Sequence, residues 1–355
     1  MDYQNRTDRL REEMCRMGED ARLVHKGENI RYLSGFTGGA DGVLLVTEKE
    51  QYLLTDGRYT EQAAKEAPDW TLVELKGDMT ETIRGLCGGF KKVALEAHAV
   101  TWQQYLSFKD RLGVELVPGS EWIEQLRMIK DEEEIACLKG AGKAGDAVFA
   151  DILSAVRPGM TEMDVASRIV SGLKANGCSG ESFATIAIAG TKTALPHGQP
   201  DETALKAQDV LLMDYGGFYH GYAGDMTRTV FLGEPSALFR DRYEIVLEAQ
   251  LAGLHAVRAG VKCSDVDGEV RKVLEKYGLS QYYVHATGHG VGLEIHEAPR
   301  VGSRSDTVLK ENMAVTVEPG IYIPGWGGIR IEDSVIVHAD SCEPLTHSGK
   351  ELIIL

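Results

Sequence analysis

Basic residues are in short supply. Against 38 Lys and Arg stand 54 Asp and Glu, a formal net charge of −16. Phosphate backbones are held by clustered cations, so nucleic acid is not an expected partner. Paired cysteines are missing too. The six present (Cys15, Cys87, Cys137, Cys178, Cys263 and Cys342) are scattered, with no CxxC spacing. That pattern argues against a disulfide framework and for reduced thiols buried as small apolar side chains. No apolar run approaches the length that spans a bilayer. Residues 1–10 contain Asp2 and Asp8 and lack the apolar core of a secretion signal. The expectation is a cytoplasmic protein with no membrane partner.

What is present is ordinary for a soluble enzyme-sized chain. Apolar residues make up 43% and charged residues 26% of 355 positions. That length exceeds a single typical core, so two domains are expected. In the first third, residues 5–17 read as an amphipathic helix stopped near Gly18. Short apolar runs follow at Ala21 to Val24, Val43 to Val46, Tyr52 to Leu54, Thr71 to Leu75, Val93 to Leu95 and Val114 to Val117. Helical stretches at Arg58 to Ala67, Thr80 to Leu86 and Trp102 to Arg111 separate several of them. The pattern predicts a small α/β domain with a mixed sheet. Pro118-Gly119-Ser120 breaks it, and Asp131-Glu132-Glu133-Glu134 then opens a new helix with acids suited to its positive end. The boundary falls between Pro118 and Lys130, and we draw it as domains 1–122 and 123–355.

The second domain repeats itself. Residues 153–177 align without gaps on 254–278, with nine of 25 positions identical, among them Arg157/Arg258, Gly159/Gly260, Asp164/Asp265 and Gly177/Gly278. Chance would give about one or two at average residue usage. Each copy reads as helix, Gly turn, helix, Gly stop, and β-rich sequence follows each. Two similar halves related by a pseudo-two-fold are expected, with a natural cleft at their seam.

Five potential ligands follow the two copies in the same division. Asp214 and Asp225 come after the first; His289, Glu318 and Glu332 come after the second. Val210 to Met213 is a buried-strand run ending at Asp214, and a hairpin would bring Asp225 back opposite it. His289 lies in Thr287-Gly288-His289-Gly290-Val291-Gly292, where glycines let the backbone pass close to a neighbour. Glu318 ends the apolar run Ala314 to Val317 and precedes Pro319-Gly320. Glu332 interrupts a β-type run, which is unfavourable without compensation. A buried carboxylate needs a partner, and a cation serves. Four carboxylates with one imidazole favour Mn²⁺, Co²⁺, Fe²⁺ or Zn²⁺ over a thiolate site, and two such cations side by side make hydroxide from water at neutral pH.

With these settings in place the chain resembles the pita-bread metallopeptidases, specifically their Xaa-Pro aminopeptidase and Xaa-Pro dipeptidase (prolidase) branch. The resemblance extends to Asn29-Ile30-Arg31-Tyr32-Leu33-Ser34-Gly35-Phe36, Leu54-Thr55-Asp56-Gly57-Arg58-Tyr59, Leu195-Pro196-His197-Gly198, His296-Glu297 and Leu345-Thr346-His347-Ser348 with Glu351-Leu352. It implies a creatinase/prolidase-like α/β domain followed by an α+β pita-bread domain with the internal repeat. It implies a dinuclear peptidase that cuts Xaa-Pro bonds. Asp214 would hold one cation, His289 and Glu318 the other, and Asp225 and Glu332 both, with manganese first among the candidate metals. A hydroxide between the cations would attack the scissile carbonyl while Glu318 handles the proton. His296 would meet the substrate carbonyl or amide, His197 would line the same pocket, and His285 and Arg330 would shape the pocket for proline. Arg330, two residues before Glu332, would share its face of a strand and orient it or bind a substrate carboxylate. A homodimer is implied, and the Gly-rich loop Ser34 to Gly42 either reaches towards the partner's site or is an ordinary turn. Trp326-Gly327-Gly328 either lines the cleft or turns the chain. The rival expectations are a metal-free creatinase-like amidinohydrolase and a non-catalytic binding protein on the same scaffold.

Overall fold

Each of the six apolar runs in the first third forms a strand. The computed structural model describes residues 1–355. It shows β1 (Ala21–Val24), β2 (Gly42–Thr47), β3 (Gln51–Thr55), β4 (Thr71–Glu74), β5 (Lys92–Leu95) and β6 (Glu115–Pro118) in one sheet of order β4-β3-β2-β1-β5-β6. The β1–β2 and β2–β3 pairs are antiparallel; β3–β4, β1–β5 and β5–β6 are parallel. The sheet is therefore mixed, as the alternation of runs and helices predicts. Helices α1 (Tyr3–Met17), α2 (Gly27–Ser34), α3 (Thr60–Glu66), α4 (Met79–Leu86) and α5 (Trp102–Arg111) accompany it. Gly18 ends α1 at φ 64°, the left-handed stop that glycine tolerates.

The chain divides into two compact units, Met1–Arg127 and Met128–Leu355. The boundary drawn from sequence at 122/123 lies at the start of helix α6 (Trp122–Arg127), and the units part at its end. The helix stays with the first unit because Ile123 and Leu126 are buried and Arg127 donates to Asn29 Oδ1 (2.9 Å).

The repeat becomes two helical hairpins. Helices α7 (Glu132–Ala155) and α8 (Glu162–Ala175) form one; α9 (Ala237–Ala256) and α10 (Cys263–Lys276) form the other. The matched glycines of the two copies all have positive φ: 96° at Gly159 and 85° at Gly260 in the turns, 91° at Gly177 and 67° at Gly278 at the stops. Two identities of the repeat are thus two conformational requirements, each met twice.

An antiparallel sheet follows each hairpin. In the first half lie β7 (Ile186–Ala189), β8 (Val210–Tyr215), the short pair β9 (Phe218–Tyr219) and β10 (Tyr222–Ala223), and β11 (Met226–Phe231). In the second lie β12 (Gly288–Gly290), β13 (Glu297–Val301), β14 (Ala314–Val317), the hairpin β15 (Gly320–Ile323) and β16 (Gly327–Arg330), β17 (Asp333–Val337) and β18 (Cys342–Pro344); β19 (Ile353–Ile354) returns to pair with β11. The sheets run β19-β11-β8-β7 and β13-β12-β14-β17-β18. Separate cores back them: Val148, Ile152, Ile169 and Met213 in the first half, Val266, Val315, Val317 and Val335 in the second. Trp326 packs on Phe239 and under Arg242, so it turns the β15–β16 hairpin and is absent from the cleft lining. No helix is long and apolar enough to cross a membrane.

Candidate metal centre

All nine residues singled out from sequence line one cleft of about 580 Å³: Asp214, Asp225, His289, Glu318, Glu332, His197, His285, His296 and Arg330. The local folding explains how. Asp214 sits on β8, next to that strand's end, and Asp225 immediately precedes β11. The expected opposition of the two is off by two residues: Asp214 pairs with Thr227, and Asp225 lies just beyond the ladder. The excursion through β9 and β10 absorbs the extra residues. Glu318 follows β14, and Glu332 sits between β16 and β17, so both acids of the second half project from breaks between strands.

The Gly-His-Gly triplet is set by close backbone passage. A Cβ on Gly288 would lie 2.0 Å from the Thr316 carbonyl oxygen, and one on Gly290 2.2 Å from that of Ala298. Only glycine fits at either side of His289, between β13 and β14. The imidazole is then oriented by its own backbone. His289 Nδ1 is 3.0 Å from the Gly290 carbonyl oxygen, which fixes the proton on Nδ1 and turns the Nε2 lone pair into the cleft. There Nε2 stands 3.5 Å from Asp225 Oδ2 and 3.5 Å from Glu318 Oε1. A lone pair facing two carboxylate oxygens is repulsive unless a cation or a proton lies between them.

The rest of the group carries the same imbalance. Asp225 and Glu332 are buried, at 6% and 1% exposure. Burial pushes the Asp225 carboxyl well up, and Glu332, Asp214 and Glu318 push it further. Burial, then Glu318 and Asp214, does the same to Glu332. Glu318 is pushed up to about 8, chiefly by burial, with Asp214 adding to the shift and Arg330 opposing it. Burial holds His289 down at about 4, in its neutral, ligating form. Asp214 Oδ1 and Glu332 Oε1 are buried without a hydrogen-bond partner, and such orphans are rare unless something absent satisfies them. One oxygen or nitrogen from each of Asp225, His289 and Glu332 lies within 4.8 Å of the others, a spacing that suits one ion. The donors are oxygen with one imidazole, as hard to borderline divalent cations prefer.

Arg330 is placed differently from the sequence expectation. It shares the cleft with Glu332 but pairs with Asp214 Oδ2, and it donates from Nη1 to Tyr322 Oη (2.7 Å) and from Nε to Thr227 Oγ1 (3.1 Å). Glu332 is oriented instead by Thr227, whose hydroxyl donates to its Oε2 (2.7 Å). Burial opposes the Arg330 charge, but Tyr322, Asp214 and Glu318 outweigh it and raise its pKa. His285 is held by both ring nitrogens, Nδ1 at 2.7 Å from the Ala286 carbonyl oxygen and Nε2 at 2.9 Å from Tyr322 Oη, and burial lowers its pKa to about 4. His296 is exposed and stands edge-on to His289, ring centres 4.3 Å apart. Sequence reasoning missed Tyr322 and Thr227. Their signal was period two: Thr227 is two residues after Asp225 and Tyr322 four after Glu318.

Comparison with known proteins gives the family. The Creatinase/Prolidase N-terminal domain pattern matches residues 6–129. The Xaa-Pro dipeptidase of Pyrococcus horikoshii is 33% identical over 355 residues, covering 99% of this chain and 100% of the relative. Among solved structures, the Xaa-Pro dipeptidase from Bacillus anthracis superposes with TM-score 0.97 at 41% identity, covering 99% of this chain and 100% of that one. The X-Pro aminopeptidase from Thermotoga maritima gives TM-score 0.91 at 34% identity, covering 99% and 100%. The pattern of Metallopeptidase family M24 matches residues 136–339, more than half of the chain, so this protein belongs to that family, with a creatinase/prolidase N-terminal domain and a pita-bread metallopeptidase domain.

Proposed function

We propose that this chain hydrolyses Xaa-Pro peptide bonds, using two divalent cations held by Asp214, Asp225, His289, Glu318 and Glu332. The observation that carries the reading is the His289 Nε2 lone pair aimed at two carboxylates, beside two further acids with orphaned oxygens. The names of the relatives, which are Xaa-Pro dipeptidases and an X-Pro aminopeptidase, supply the substrate class. When bound, the cations lower the pKa of water and polarise the scissile carbonyl.

The chain's own side chains supply the rest. Asp214 would help hold one cation and His289 and Glu318 the other, with Asp225 and Glu332 contributing to each. Glu318 faces the cleft with 19% of its side chain exposed and takes the proton from the attacking water, then passes it to the leaving proline nitrogen. His296, exposed beside His289, donates to the substrate carbonyl, and His197 closes the same wall. His285 and Arg330 border the space for proline; Arg330, committed to Asp214 and Tyr322, also fixes the Asp214 rotamer. Manganese is the working cation in this reading, the protein is a homodimer, and six unpaired cysteines suit a cytoplasmic setting. Against a metal-free amidinohydrolase stand four clustered acids and a cleft-facing imidazole lone pair, a donor set that divalent cations would satisfy with every acid ionised.

The test is hydrolysis of Ala-Pro beside Ala-Pro-Ala after chelation and single-metal reconstitution. Cleavage of at least one, lost on chelation and restored by manganese, is expected. Metal-loaded protein that cuts neither overturns the proposal. The ratio of the two rates separates dipeptidase from aminopeptidase.

A further inference from the structure

The segment Leu345 to Lys350 has no part in the cleft lining, yet it supplies partners to the buried charges behind it. Glu332 lines the cleft and Thr227 bonds to its carboxylate; their neighbours Arg228 and Asp333 bond to each other and are absent from the cleft lining. Arg228 is 1% exposed and all five of its N–H groups are used. Nη1 donates to the carbonyl oxygens of Thr227 (2.9 Å) and Glu332. Nη2 donates to Asp333 Oδ1 (2.7 Å) and the Ser348 carbonyl (2.8 Å), and Nε to the Gly349 carbonyl (3.1 Å). Asp333, also 1% exposed, accepts in addition from Thr346 Oγ1 (2.8 Å), Gln250 Nε2 (3.0 Å) and Lys350 Nζ (2.8 Å). The segment is itself held by both halves. Asp146 on α7 accepts from the backbone N–H of His347 and Ser348 (both 2.8 Å), and Tyr243 on α9 donates to the Lys350 carbonyl (2.8 Å).

We propose that residues 345–350 are a clasp that completes Arg228 and Asp333 as positioning residues for the metal ligands Asp225 and Glu332. The physical need is plain. These two acids come from different halves of the fold, on backbones that their own repulsion would drive apart. Arg228 ties the two backbones at the Thr227 and Glu332 carbonyls, and Ser334 Oγ adds a bond to the Asp225 carbonyl (3.0 Å). Without the segment, Arg228 would leave two N–H groups buried and unpaired, and Asp333 would lose one of its two cations. The ligand backbones would then relax, and cation affinity would fall. Outer partners of ligands are commonly worth about 10–100-fold in metal affinity.

This inference rests on the metal-binding part of the proposed function, and its test reads metal directly. Metal-free Lys350→Met and Asp146→Ala proteins, which release the clasp from different sides and alter no ligand, are titrated calorimetrically with manganese beside wild type. Each is expected to bind about tenfold or more weakly, and Lys350→Arg to bind within about threefold of wild type. Arg228→Lys keeps the charge but loses the fork, and should weaken binding further; if it does not fold, the two peripheral variants decide. Wild-type affinity in both peripheral variants, even with a lowered melting temperature, overturns the clasp. Wild type that binds manganese but cleaves no Xaa-Pro peptide sinks the proposed substrate and leaves this test standing.

Discussion

At the scale of single residues, chemistry follows from which way a lone pair or a proton points. Glu318→Gln keeps the shape of the carboxylate and removes its basicity. It is expected to lower kcat by about 10²–10⁴-fold, the range for a general base, with the folded state retained by circular dichroism; a loss under tenfold would remove Glu318 from the proton path. His25 offers a second case, outside the cleft. Neither ring nitrogen has a partner, and burial lowers its pKa to about 4 from 6.5. The unfolded chain therefore takes up a proton that the folded one refuses. This histidine's contribution is intact above pH 6.5 and is lost progressively as pH falls towards 4. His25→Phe removes the penalty, so between pH 7.5 and pH 4.5 the variant should lose up to about 3 kcal/mol less stability than wild type. Parallel urea curves for the two proteins at both pH values check this.

At the scale of elements, the helices and strands depend on a few end residues. Helix α7 opens with a capping box: Asp131 accepts from the Glu134 N–H (2.8 Å) and Glu134 from the Asp131 N–H (2.9 Å). Asp131→Ala should cost about 1 kcal/mol, read as a shift in the urea midpoint. Strand β12 depends instead on having no side chains beside His289. Gly290→Ala places a methyl where the Ala298 carbonyl stands, so it should cost about 1–3 kcal/mol and also displace His289. Weaker manganese binding together with the lower melting point is the expected outcome; a change in melting point alone would mean that the strand gives without moving the ligand. Most of these elements were legible from sequence, because period and punctuation are local. The apolar runs became β1 to β6, and the repeated glycines became matched turns. The pairing of Thr227 with Asp214 was not legible, since the residues consumed by β9 and β10 depend on where that excursion packs.

At the scale of the whole molecule, the cleft collects like charge that folding alone does not neutralise. Removing metal should therefore lower the thermal midpoint of the protein and abolish hydrolysis together, and adding manganese should restore both. A ligand at 100 times its Kd stabilises by about 2.7 kcal/mol, so the midpoint should rise with manganese concentration in calorimetry. A midpoint indifferent to chelation would contradict a metal site built at the seam of two halves.

The sequence by itself determined the family, the two-part organisation, the repeat and the identity of the nine cleft residues. Those depend on residue type, order and spacing, which a linear chain records. Tertiary structure alone decided who holds whom: Arg330 on Asp214 instead of Glu332, Thr227 on Glu332, Tyr322 between Arg330 and His285, and Arg228 closed over by residues 348–349. Nearly all of these partners lie far apart in sequence, and hydrogen bonds between side chains depend on rotamer and approach at the scale of an ångström. No periodicity in the chain encodes that distance; packing the two halves against each other does.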